Sequence, residues 1–277
     1  MRIWIGTRDG GALVEGDEAR ISVLDHAVTV GDGVFETLKV VDGRPFALTR
    51  HLRRFAASAR TMGIDPPEEP VIRAAVEVVL SGADLGPLGR LRITCTGGVG
   101  PLGSDRGDAT PGLVVAASPA PQWPAATSTV TVPWTRNERS AIAGVKSTSY
   151  GENVVALRWA HERGASEALF ANGRGELCEG TGTNVFVVVD GAVLTPRLDS
   201  GCLAGITREL VLEWSSATEA LLPIDVLASA DEVFLTSSTR NIHPVIRCDD
   251  RTWDEPGPIS RALAAAFDAR AAADIDP

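Results

Sequence analysis

Lysine is scarce in this chain: Lys39 and Lys146 are the only two among 26 basic residues, and arginine supplies the rest. An arginine replaces a lysine wherever a solvated positive charge is enough, but its guanidinium stays protonated and cannot act as an amine nucleophile. Lys146, in Gly144-Val145-Lys146-Ser147-Thr148-Ser149-Tyr150, is therefore a candidate for amine chemistry, the alternative being an ordinary solvated lysine. Three features further along suit one ligand for such an amine. Gly205 precedes a helix start at Ile206-Thr207, where N–H groups at the positive end of a helix dipole make a phosphate site. The hydroxyl cluster Thr236-Ser237-Ser238-Thr239 ends a strand and can donate to the same anion. Glu179 stands in a glycine-rich bend before the apolar strand Val185-Phe186-Val187-Val188-Val189, where packing can hold it against a cation. Amine, phosphate cradle and carboxylate together are what pyridoxal phosphate requires.

The whole-chain properties narrow the partners. A length of 277 residues allows about two domains of ordinary size. A hydrophobic fraction of 44% with 22% charged residues reads as soluble and globular. The net charge of -10 gives no electrostatic reason to bind nucleic acid. Met1 to Gly6 enters a strand-like alternation directly, without an apolar leader, and no stretch approaches a membrane span, so a cytoplasmic protein is expected. Cys95, Cys178, Cys202 and Cys248 are scattered, with no C-x-x-C spacing and no His-rich companion. Neither a metal site nor a disulfide framework is indicated, and reduced thiols mostly packed in the core are expected.

Alternating and helical periods then place these residues on elements. A strand over Val34–Val41 turns at Asp42-Gly43 into a hairpin partner over Pro45–Leu48. A helix follows with Thr49 as its N-cap, carries Leu52, Phe55, Ala56, Ala59 and Met62 on one face, and stops at Gly63. Arg54 lies outside that stripe, where it is solvated or waits for an anion. A second helix is predicted over 70–80 and a strand over 88–96, whose Arg90, Arg92 and Thr94 share one face, toward solvent or a cleft, while Leu91, Ile93 and Cys95 share the other. Gly98-Val99-Gly100-Pro101-Leu102-Gly103 matches G-x-G-x-x-G, but it runs through Pro101 into loop composition instead of opening a helix, so it is no dinucleotide site. The prolines of 118–124 mark a linker. Beyond it the pattern gives strands over 128–133, 167–171, 185–189 and 232–235, and helices over 152–163, 209–217 and 259–273. A small N-terminal domain 1–118, a linker 119–127 and a large domain 128–277 are expected.

The order Gly31-Asp32-Gly33-Val34-Phe35-Glu36, His51-Leu52-Arg53-Arg54-Phe55, Lys146, Glu179-Gly180-x-Gly182-x-Asn184, Gly205-Ile206-Thr207 and Ser238-Thr239 resembles the fold-type IV class of pyridoxal-phosphate enzymes. That class contains branched-chain and D-amino-acid aminotransferases and aminodeoxychorismate lyase. The resemblance implies an α/β (α+β) fold of two domains with the cofactor at their interface, and a homodimer. It further implies that Lys146 bonds the cofactor covalently and moves the substrate proton, and that Glu179 pairs with the pyridine nitrogen. Arg54, Ile206, Thr207, Ser238 and Thr239 would bind the phosphate, Tyr150 would donate to the phenolic oxygen, although it stands one residue closer to the lysine than in branched-chain enzymes, and Leu203 would pack on the ring.

Within the class, the run from Gly31 to Lys39 is similar to D-amino-acid transaminases. Branched-chain enzymes carry a tyrosine where this chain has Val30 and a glycine where it has Thr37. Gly97 and Val99 occupy the positions of the arginine and histidine that bind the substrate carboxylate in D-amino-acid enzymes, which leaves Arg92, or Arg90, as the substitute. Thr37 and Arg92 also match a threonine and a substrate-contacting lysine of aminodeoxychorismate lyases. The expectation is a transaminase moving an amino group from an amino acid, of the D type, to an α-keto acid. The alternatives are the lyase, releasing pyruvate and 4-aminobenzoate, and a non-enzymatic pyridoxal-phosphate carrier.

Overall fold

The computed structural model describes all 277 residues. The chain forms two compact units: Met1–Pro121 with Val145–Tyr150 and Ile275–Pro277, and Gln122–Gly144 with Gly151–Asp274. The change of unit at 121/122 lies within the stretch 119–127 expected to be a linker. The segment around Lys146 and the last three residues, expected in the large domain, belong to the first unit, because each is hydrogen-bonded to its backbone.

In the first unit, β1 (Arg2–Thr7) and β2 (Gly10–Glu15) form a hairpin, and α1 (His26–Thr29) is one turn capped by Asp25. Then come β3 (Gly33–Val41), β4 (Arg44–Pro45), α2 (Leu48–Thr61), α3 (Glu69–Leu80), β5 (Leu88–Thr96) and β6 (Leu113–Pro119). Asp42 and Gly43 both take positive φ, which the two-residue turn between β3 and β4 requires. The strands make one antiparallel sheet in the order β2-β1-β6-β5-β3-β4. Its core face buries Val34, Leu38, Leu91 and Ile93 against Leu52 and Phe55 of α2 and Ile72 and Val76 of α3. The hairpin partner is shorter than expected, since Ala47 turns into the left-handed region and starts the helix there. Nor is Thr49 the cap. Asp276, 227 residues away, accepts from Thr49 N at 2.8 Å and from Thr49 Oγ1 at 2.6 Å, a cap that no local pattern reveals. The stretch from Gly97 to Gly112 contains no helix, so the glycine-rich motif there opens none.

The second unit holds β7 (Thr127–Arg136), α4 (Gly151–Glu162), β8 (Glu167–Asn172), β9 (Leu177–Gly180), β10 (Asn184–Val189) and β11 (Ala192–Pro196). It continues with α5 (Ile206–Trp214), β12 (Thr218–Ala220), α6 (Val226–Ser229), β13 (Glu232–Ser237), β14 (Asn241–Cys248), β15 (Arg251–Thr252) and α7 (Pro258–Ala273). A mixed sheet runs β12-β11-β10-β13-β14-β7-β8-β9, with β15 on β14. Leu169, Val185, Val187, Val233 and Leu235 form one core with Leu227 of α6, while Val130, Val132 and Phe170 form another with Ala156 and Ala160 of α4. α5 begins at Ile206, where Gly205 placed a helix start, three residues before the helical period that the sequence shows from Glu209. Gly205 serves as its N-cap, and Ile206, Leu210 and Val211 supply the buried face that keeps the helical period.

No helix is long and apolar enough to cross a membrane. All four cysteines are buried free thiols. Burial pushes Cys95 up to about 12 and Cys202 and Cys248 up to about 11, which leaves them poor nucleophiles.

Candidate active site

In the first unit, the segment bearing Lys146 runs along the end of β3 that the short β4 leaves open. Phe35 N donates to Lys146 O at 2.9 Å, Thr148 N donates to Gly33 O at 2.8 Å, and Val34 bridges Ser147. This pairing fixes the register of the lysine beside Phe35. Gly33 permits the approach, because a Cβ there would lie 3.0 Å from Thr148 Oγ1 and 2.7 Å from Cys95 O. Lys146 N also donates to Ser58 Oγ of α2 at 3.4 Å. The ring of Phe35 gathers the rest. Lys146 Nζ lies 4.6 Å from its centroid, the Arg92 guanidinium 3.7 Å, and Tyr150 meets it edge-on with centroids 5.1 Å apart. Arg92 stands opposite Thr37 and Arg90 opposite Lys39 in the register of β3 and β5. Phe35, Thr37, Arg90 and Arg92 therefore share the sheet face turned from the core, as the alternation of β5 requires.

Arg54 is held on the core side of the same sheet. Its Nε donates to Glu36 Oε1 at 2.8 Å and its Nη2 to Oε2 at 2.6 Å, a bidentate pair that sets the guanidinium plane. His51 Nδ1 lies 2.6 Å from Oε2 of the same carboxylate. Burial would raise the Glu36 carboxyl, but the charges and hydrogen bonds of Arg54 and His51 outweigh it and bring it down to about 2. Burial pushes His51 below its ordinary value, with Glu36 acting against it. Glu36 and His51 belong to motifs quoted above, but their function as the brace of Arg54 was not foreseen.

In the second unit, Glu179 ends β9 with an anchored carboxylate. Leu203 N donates to Oε2 at 2.9 Å, and Arg136 Nε is 3.4 Å from Oε1. Arg136, which sequence reasoning missed, lies over the Phe170 ring at 4.2 Å; an arginine at the end of a threonine-rich strand carries no signal of its own. The contact of Leu203 with the site residues is made through its backbone. Gly205 caps α5 without a side chain, so the first N–H groups of the helix, at Ile206 and Thr207, receive no side-chain cap. A Cβ at Gly205 would run into Asn184 Oδ1. Asn184 Nδ2 donates to Leu203 O at 2.8 Å, and Asn184 pairs with Thr236 across β10 and β13. The start of α5 and the end of β13 are thus tied together, and Ser238 and Thr239 form the turn between the paired Ser237 and Asn241.

These residues fit pyridoxal phosphate. An uncapped helix start at Thr207, tied through Asn184 to the strand that leads into Ser238 and Thr239, suits a phosphate. Thr236 Oγ1 is buried there without a partner, as a polar atom awaiting a ligand or its solvent would be. A carboxylate fixed by one main-chain donor and an ion pair with Arg136 suits a protonated ring nitrogen, and Lys146 of the first unit offers an amine.

Comparisons with known proteins agree. The family model described as Amino-transferase class IV matches residues 33–248. A putative branched-chain-amino-acid aminotransferase of Methanocaldococcus jannaschii is 33% identical, over 96% of this chain and 95% of that protein. A D-alanine aminotransferase of Staphylococcus haemolyticus is 28% identical, over 93% and 94%. The PLP-bound form of a hypothetical aminotransferase from Mycobacterium tuberculosis superposes with a TM-score of 0.83 at 29% identity, covering 96% of this chain and 98% of that one.

Proposed function

Because the chain belongs to the class IV aminotransferases, with pyridoxal phosphate as cofactor, we propose that it moves the amino group of a D-amino acid to an α-keto acid. The observation that carries this reading is the shared ring of Phe35: the amine of Lys146 and the guanidinium of Arg92 both lie on it, at 4.6 and 3.7 Å from its centroid. A proton-moving amine and a carboxylate-binding cation are what an α-amino acid needs near its Cα.

Bound pyridoxal phosphate supplies an aldehyde that captures the amino group and a ring that accepts the electrons left when Cα loses its proton. Lys146 would hold the cofactor by its aldehyde carbon, and its free amine would take the proton from the substrate Cα and return it. Glu179, anchored by Leu203 N and Arg136, keeps a proton on the ring nitrogen. Arg54, the N–H groups of Ile206 and Thr207, and the Ser238 and Thr239 hydroxyls hold the phosphate. Tyr150 donates to the phenolic oxygen and the Leu203 side chain packs on the ring. Arg92, or Arg90 beside it, pairs with the substrate carboxylate, and Thr37 lines the same face. An amino donor gives up its nitrogen in the first half-reaction and a keto acid takes it in the second.

The run Gly31–Lys39 and the staphylococcal D-alanine aminotransferase support the D enantiomer. The Methanocaldococcus relative favours a second reading, transfer from branched-chain L-amino acids. A panel of both enantiomers of alanine, leucine and glutamate with 2-oxoglutarate separates the two. D-alanine turnover supports the first; turnover confined to L-leucine replaces it with the second. Release of pyruvate from aminodeoxychorismate without any acceptor would overturn both in favour of a lyase.

A second copy of the chain is the proposed partner. Val23, Leu24 and Val28 are exposed, as are Val99 and Leu102. The two loops are joined by Gly100 N donating to Leu24 O and by the Asp25–Val99 bridge, so these apolar groups form one uncovered patch. A dimeric mass by light scattering that falls to the monomer value in Val28→Asp is the expected result.

A further inference from the structure

Glu167, the first residue of β8, has no part in the chemistry described so far, and its side chain is only 2% exposed. A buried carboxylate needs donors around it, and here they come from two separate segments. From the bend that follows Glu179, Thr181 donates its N–H at 3.0 Å and its hydroxyl to Oε1, and Thr183 Oγ1 lies 3.5 Å from Oε2. From the turn after β13, Arg240 Nη2 lies 3.4 Å from Oε2. Ala168 N adds a local bond at 3.1 Å. Arg240 follows Thr239 directly in the chain. Its side chain is 8% exposed, stacked on Trp123 at 4.1 Å, and Glu167 is its ion-pair partner. One carboxylate therefore touches the bend that bears Glu179 and the turn that bears Ser238 and Thr239.

We propose that Glu167 is a positioning residue for the cofactor, tying the bend at 180–184 to the turn at 237–240 so that ring-nitrogen and phosphate contacts are held together. The proposal rests on the reading of Glu179, Ser238 and Thr239 as cofactor contacts. The two oxygens divide the work. Oε1 serves Thr181, and Oε2 faces Arg240. A glutamine at this position keeps a carbonyl acceptor for Thr181 but turns an NH2 donor toward the guanidinium, donor against donor. The phosphate side should loosen while the ring-nitrogen side is retained.

The test compares cofactor release from purified holoenzymes, followed by the visible absorption of bound pyridoxal phosphate after dilution and gel filtration. Glu167→Gln is expected to release it at least about tenfold faster, through the loss of the buried ion pair with Arg240. Its absorption maximum, and the pH dependence of that maximum, should stay as in the wild type. Arg240→Met removes the same tie from the other end and should match Glu167→Gln, which keeps the test open if the glutamine variant does not fold. Thr181→Val should instead shift the pH dependence of the absorption, with a smaller change in release. Folded Glu167→Gln and Arg240→Met proteins that release the cofactor at the wild-type rate, with only a lowered melting temperature, would overturn the proposal alone. A wild-type protein that takes up no pyridoxal phosphate would overturn the underlying reading and the proposal with it.

Discussion

The two units hold their candidate site residues with different materials. In the first unit, Arg54, Glu36 and His51 are fixed by side chain against side chain, and Lys146, Arg92 and Tyr150 by contact with one phenylalanine ring. In the second unit, the proposed phosphate cradle is largely backbone: an uncapped helix start after Gly205 and a three-residue turn after β13. Its one acid is anchored partly by a main-chain N–H, that of Leu203. The difference follows from the chemistry asked of each half. A phosphate is satisfied by N–H groups that any sequence supplies once the chain bends correctly. Proton transfer and carboxylate recognition require particular side chains at particular atoms. Substitution of Lys146 or Arg92 in the first unit should therefore remove function directly, whereas in the second unit it should act through chain geometry, except at Glu179.

Lys146→Ala is the severest break of that contrast, because no neighbour can replace the amine. Turnover is expected to fall by about 10⁴ or more, the upper range for a general acid–base group, and the visible band of the bound cofactor should vanish. Single-turnover spectroscopy checks both. Glu179→Gln comes next, with turnover reduced about a hundredfold and cofactor affinity within a few fold of wild type, since the phosphate contacts are untouched. Unchanged turnover would remove Glu179 from the mechanism. Gly205→Ala tests the backbone half. Its Cβ would run into Asn184 Oδ1, and shifting the start of α5 should weaken cofactor binding about tenfold, an overpacking effect of about 1.4 kcal/mol. Equilibrium titration measures it, and wild-type affinity would show that the cradle tolerates displacement.

The contrast also explains what the sequence disclosed. Lys146 stands out in the sequence through its scarcity, Glu179 through its glycine-rich bend, and the proposed cradle through a glycine before a helix and a run of hydroxyls, because these are local signals. The sheet of the first unit was legible too, since Leu91, Ile93 and Cys95 alternate with Arg90, Arg92 and Thr94 and are fully buried. Braces between distant residues were not. Glu36 and Arg54 meet across a strand and a helix, and Asp276 caps α2 from 227 residues away. Neither leaves a periodic trace. The start of α5 was legible from Gly205, although the apolar period shows only from Glu209; that Asn184 fills the space a side chain at 205 would need is visible only in three dimensions.

The smallest expected effect on turnover, and the one best read as stability, belongs to the brace itself. Glu36→Gln keeps one carbonyl for Arg54 but loses the charge that Arg54 and His51 share. A cost of about 2 kcal/mol at neutral pH is expected, in the range for hydrogen bonds to charged groups, with turnover of the folded enzyme reduced only a few fold. The sign of the pH dependence follows from the depressed carboxyl. Glu36 titrates at about 2 in the folded chain against an ordinary value of 4.5. Its contribution is therefore fully present above pH 4.5 and is lost as the pH falls toward 2. Urea unfolding at neutral pH and along that acid limb should show the gap between wild type and Glu36→Gln closing as the pH falls. A gap that stays constant down to the acid end would mean that the brace acts by shape and not by charge. The two units would then differ less than the geometry within each indicates.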